Sequence, residues 1–106
     1  ANRLVGSEMC IRDSIYPVAT AKGAKVVVVA ENLQDGEKEF IEFGVTDDGT
    51  DVFHTEYGNL RTDYQLIVPS FEFTAGNEAR LNILLGANVP ATNSVKITFS
   101  STITKK

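Results

Sequence analysis

His54 is the single histidine of the chain, and Glu56 lies two residues on, on the same side of any extended segment. A general base needs a neighbour that accepts or orients its proton, so this pair is the first candidate for catalysis. On an exposed strand, however, a His and a Glu on one face more commonly make a cross-strand surface pair. One histidine without cysteine partners is also a poor start for a metal centre. Asp47, Asp48 and Asp51 gather around Gly49, which suggests a calcium loop. Such a loop needs a longer ligand series ending in a bidentate Glu, with helices on either side. Hairpin chemistry already accounts for Asp48-Gly49. Tyr16, Tyr57 and Tyr64 are candidates for a sugar-stacking platform, although there is no Trp. Tyr57 shares its phase with Phe53 and reads as core or as a sandwich corner. Gly-rich phosphate loops and Gly-x-Ser-x-Gly are missing, so the sequence points away from an enzyme and implies no cofactor and no metal. The residues left for a ligand or an interface are Tyr16, His54, Glu56, Tyr57 and Tyr64.

The elements that must position these residues are β throughout. Punctuating residues recur at Gly23, Asp35-Gly36, Asp48-Gly49, Gly58-Asn59, Gly76-Asn77, Asn88 and Pro90. Between them lie runs rich in β-branched and aromatic residues. This spacing predicts about seven strands, at 15–20, 24–32, 37–46, 51–58, 64–74, 79–86 and 94–104. The expected fold class is all-β, an antiparallel β-sandwich of jelly-roll-like or immunoglobulin-like type. Alternation with period two assigns Ile41, Phe43, Val45, Leu81, Ile83, Leu85, Val95, Ile97 and Phe99 to inward faces. Val26, Val28, Phe53, Leu66, Phe71 and Phe73 complete the expected core, while His54 should project outward with Val52 and Glu56. Leu33-Gln34-Asp35-Gly36 and Asp47-Asp48-Gly49-Thr50 predict two hairpin turns and hence a three-strand meander. Residues 77–85 also fit a short amphipathic helix capped by Asn77. Strand is preferred there because the segment is short and follows a Gly-Asn turn. Val26 to Val29, apolar on both phases, suits either a central strand or an interface.

Composition narrows the partners. The formal net charge is −4, which removes the electrostatic attraction to a phosphate backbone that nucleic-acid binding uses. No apolar run approaches the roughly 20 residues that span a bilayer as a helix. No nucleic acid and no membrane are therefore expected.

Residues 4–14, Leu-Val-Gly-Ser-Glu-Met-Cys-Ile-Arg-Asp-Ser, resemble the conceptual translation of a transposon-based sequencing-library adapter. The mosaic end of that adapter reads ATG TGT ATA AGA GAC AG, which matches Met9 to Asp13. The resemblance implies that residues 1–14 are adventitious and that 15–106 are one β-sandwich domain, shortened at its N-terminus. Segments of this kind do not belong in fold reasoning. The only Cys and the only Met, Cys10 and Met9, fall within it, so no disulfide or thiolate chemistry is expected. Residues 1–14 are expected to pack poorly, or at most to make a strand beside Ile15–Thr20.

Phe43-Gly44-Val45-Thr46-Asp47-Asp48-Gly49-Thr50-Asp51-Val52-Phe53-His54-Thr55-Glu56-Tyr57-Gly58 resembles a stretch near the C-terminus of virion structural proteins of marine tailed bacteriophages, cyanophages among them. Phe71-Glu72-Phe73, Gly76-Asn77, Arg80-Leu81-Asn82-Ile83 and Val95-Lys96-Ile97 follow in the same order as in those proteins. Lys25 to Val29 matches an upstream strand, so the resemblance covers most of 20–106. The chain departs from the pattern in having Asp47 where the family tends to have His. The resemblance implies a noncatalytic virion component of the neck, tail or fibre, working through packing with other virion proteins. A homo-oligomer is the implied assembly and the virion the implied location. The alternative is a carbohydrate-binding or receptor-binding β-sandwich that recognises a surface glycan.

Overall fold

The computed structural model describes residues 2–5, by backbone alone, and 11–106. Met9 and Cys10 lie outside the described residues. Eight strands follow one another: β1 (Asn2–Val5), β2 (Ile11–Pro17), β3 (Ala21–Asn32), β4 (Lys38–Asp47), β5 (Val52–Arg61), β6 (Ile67–Phe73), β7 (Glu78–Leu85) and β8 (Ser94–Lys105). They form two antiparallel sheets, a β-sandwich. The larger sheet has the order β1-β8-β3-β4-β5 and the smaller β2-β7-β6. Seven of these strands correspond to the seven expected from the sequence, and 78–85 is strand, not helix.

Turn chemistry sets the β3–β4–β5 meander. Gly36 and Gly49 adopt positive φ, 77° and 93°, a region that glycine enters without steric cost. Val26 to Val29 lie in β3, the middle strand of the five. Val26 and Val28 point into the core and are fully buried. Ile41, Phe43, Val45, Val95 and Ile97 join them from the larger sheet, and Leu66, Ile67, Leu81 and Ile83 from the smaller side. The strand alternation in β4, β7 and β8 therefore holds.

Three expectations change. The first strand of the domain begins at Ile11 and ends at Pro17, because residues 18–20 are needed for the turn into β3. Ile11 to Ser14, expected to pack poorly, pair with Ile83 to Arg80 of β7, and Ile11 packs against the core. The cause is local: Ile11 lies in register with the buried Ile83. β1 pairs with Ser94–Ile97 of β8, not with the strand at 15–20. The third change is in β5, where Phe53 leaves the core and is 53% exposed.

One end of the sandwich is closed by a buried carboxylate. Glu39 has no exposed surface, yet every part of it is used. Its Oε1 accepts from the backbone N–H of Leu66 at 2.8 Å and of Ile67 at 3.3 Å. Its Oε2 accepts from Asn59 Nδ2 at 3.2 Å and Arg61 Nε at 2.9 Å. This side chain fixes the crossing from β5 to β6, and with it the distance between the sheets at that end.

Candidate functional site

The register of β5 against β4 decides where the candidate residues point. Val45, which faces the core, pairs with His54, whereas Thr46 pairs with Phe53. His54 therefore lies on the inward phase, the reverse of the sequence expectation, and Phe53 lies on the solvent side. The physical reason is that β5 is an edge strand that the narrower three-stranded sheet covers only in part. Hydrophobicity then no longer identifies the inner face. The ring of His54 packs against Phe71 (4.8 Å between centroids) and meets Phe43 edge-on at 6.1 Å. Two of its neighbours are aromatic rings, yet the side chain stays exposed at the sheet edge, and His54 is among the residues that line the open trough described below. Glu56 stands opposite Phe43 on the same phase.

A bulge shifts the β4–β5 pairing between Glu42 and Phe43, so that Gly58 and then Glu56 are the successive partners. Tyr57 is the extra residue, and its ring swings over Gly44. A side chain at Gly44 would come within 2.8 Å of that ring. Tyr57 is 68% exposed, and Leu60, which pairs with the partly exposed Phe40, is 71% exposed. Phe53, Tyr57, Phe40 and Leu60 thus form an apolar stripe on the solvent side of the larger sheet, along its β5 edge. Beside the stripe runs an open trough of about 650 Å³, floored by Gly23 and Gly44 and flanked by Phe53, Tyr57, Lys25 and Thr104.

The three tyrosines do not come together. Tyr16 is buried, and its hydroxyl donates to Asp47 Oδ1 at 2.6 Å. Burial, then that hydrogen bond and the Asp47 charge, raise its pKa well above the ordinary tyrosine value. Tyr64 donates to Asp35 Oδ2 at 2.6 Å and accepts from Asn32 Nδ2 at 2.8 Å. The hydrogen bond to Asp35 is the main cause of its raised pKa. Each of these two tyrosines ties down a hairpin turn, a long-range tether that spacing alone does not reveal. Only Tyr57 offers a ring face to solvent.

The aspartates near Gly49 serve the turn. Asp48 Oδ1 accepts from the backbone of Thr50 and Asp51 and from the Thr50 hydroxyl, and these bonds lower its pKa. Asp47 Oδ2 accepts from Gly49 N. Among the described residues no group of three His, Cys, Asp or Glu side chains is placed to hold a metal ion. On the far face of the smaller sheet, Arg80 forms an ion pair with Glu72, whose pKa it lowers.

No protein-family model matches the chain, and no curated protein matches it. Among solved structures, the tailspike protein of Acinetobacter phage vB_ApiP_P1 is similar, with 10% sequence identity and a TM-score of 0.50. The similarity covers 99% of this chain and 20% of that one. The chain thus spans about one fifth of the length of the tailspike, and the likeness is one of fold.

Proposed function

We propose that this chain is a noncatalytic module of a bacteriophage virion, associated with the tail or a fibre, whose work is packing against other virion subunits. The observation that carries the proposal is the stripe of Phe53, Tyr57, Phe40 and Leu60 on the solvent side of the larger sheet. Large apolar side chains exposed along one edge of a β-rich domain, here on either side of the Glu42–Lys25 ion pair, mark a contact with another chain. The fold likeness to a tailspike supports a place in the phage tail. The motif order from Phe43 to Ile97 supports a relation to marine, cyanophage-like virion proteins, and residues 4–14 are read as adapter-derived. His54, packed on Phe43 and Phe71, has a structural part in this reading. The test is light scattering over a concentration series. Self-association that Leu60→Asp weakens is the expected result, and a monomer at every concentration counts against it.

A second reading has its own observation. Tyr57 presents its ring above a trough that is also lined by Thr104 and by Lys25, whose ammonium is ion-paired with Glu42 at 3.0 Å. An aromatic face beside polar donors is the chemistry of a carbohydrate or receptor contact. Glycan-array binding that disappears in Tyr57→Ala would favour this reading; an array without signal removes it.

A further inference from the structure

The trough beside the β5 stripe differs in sign from the chain as a whole, whose formal net charge is −4. Lys22 and Lys25 line it, and no Asp or Glu is among the described residues that do. Lys25 is ion-paired with Glu42 at 3.0 Å, but an ammonium has three N–H donors and two remain. Lys22 has no ion-pair partner among the described residues, so its charge is uncompensated. It is the extra residue where β3 slips against β8, between Ala21 and Gly23. We propose that the trough binds a glycan bearing anionic groups, carboxylate or sulfate, with a sugar ring on Tyr57 and the anion at Lys22 and Lys25. The inference rests on the carbohydrate reading above and names the class of sugar.

The floor of the trough explains the ring. Gly44 leaves the space over which Cε2, Cζ and the hydroxyl of Tyr57 lie, while the residue as a whole is 68% exposed. An aromatic face of this kind, with a polar tip, takes the C–H face of a sugar at little entropic cost. The register sets the length. Thr104, Gly23, Thr46 and Phe53 are level across β8, β3, β4 and β5, three interstrand steps or about 14 Å. A run of sugar units can therefore reach the ring and an ammonium together. Hydroxyls supply the remaining contacts. Thr55 and Thr104 also line the trough, and each can both donate and accept, as sugar hydroxyls require. Thr46 Oγ1 donates to the Lys22 carbonyl at 2.8 Å, which holds the bulge that carries the lysine. An acidic peptide would use the lysines and leave the ring face and the hydroxyls idle.

The test applies the full chain to an array of neutral, carboxylated and sulfated glycans. Each acidic glycan stands beside its methyl-esterified or unsulfated counterpart, and polyglutamate serves as the peptide control. An acidic glycan should bind at least about tenfold more tightly than its neutral counterpart, the worth of one charge-assisted contact. Whether carboxylated or sulfated members show that preference identifies the anion. Lys22→Met should remove the preference, and Tyr57→Ala should remove binding altogether. Both side chains are exposed, so neither change endangers the fold. Equal binding of acidic and neutral forms, unchanged in Lys22→Met, overturns the proposal and leaves the carbohydrate reading standing. Polyglutamate bound as tightly as any glycan, with Tyr57→Ala neutral, overturns it in favour of an acidic peptide. An array without signal overturns both the proposal and the carbohydrate reading.

Discussion

Glu39 shows what one side chain can hold in place. It serves two backbone N–H groups at the β5–β6 crossing and two side chains of β5. Glu39→Ala strands these donors in a buried site and should cost about 3 kcal/mol in chemical denaturation. Tyr16 gives a second test, by pH. Its pKa in the folded chain is raised above 10.0, its ordinary value, chiefly by burial. The unfolded chain therefore releases the phenolic proton first, and stability falls as pH rises beyond about 10. Below that pH the contribution is fully present. In Tyr16→Phe the high-pH decline of the melting temperature should be shallower, although the variant starts lower for want of the bond to Asp47. Glu39 was open to parity, since it shares a phase with Ile41, Phe43 and Val45. The tethers Tyr16–Asp47 and Tyr64–Asp35 were not open to it, because their partners are about thirty residues apart in the chain.

At the scale of the strand, turn glycines were legible and the edge strand was not. Gly36 and Gly49 take the positive φ that the Asp-Gly pairs announce. Gly49→Ala should therefore cost about 1 kcal/mol. Gly58 has no neighbour where a Cβ would go and no positive φ, so Gly58→Ala should stay within about 0.5 kcal/mol of the parent. Urea titration of both variants checks the contrast. Alternation names two faces but not which is wet. In β4, β7 and β8 the more apolar face is also the covered one. In β5 the opposing sheet is too narrow, a bulge intervenes, and Phe53 and Tyr57 turn to solvent.

Over the described molecule, the main core draws Ile83 and Leu81 from the smaller sheet together with Val26, Val28 and Ile41 from the larger, and Tyr16, Ala21 and Ala79 make a second, smaller cluster. Ile83→Ala should remove about 2–5 kcal/mol, and in a differential scan the domain should still melt in one transition. Leu84 is on the outer side of β7 and 45% exposed; Leu84→Lys should change the midpoint little. The sandwich class, the meander and most of the core were legible because period-two patterning is a whole-strand signal. The unequal widths of the sheets were not, since pairing partners across the sandwich leave no local trace. That inequality is what turns the β5 margin into the surface to which both functional readings point.

The Glu39 junction also has an evolutionary consequence. An acid with partners from both β5 and the following crossover cannot drift one step at a time, because losing either side leaves a charge or a donor stranded. Descendants of this fold should exchange Glu39 and Arg61 together or not at all. The two columns would then covary even where the hairpin tips have diverged beyond alignment.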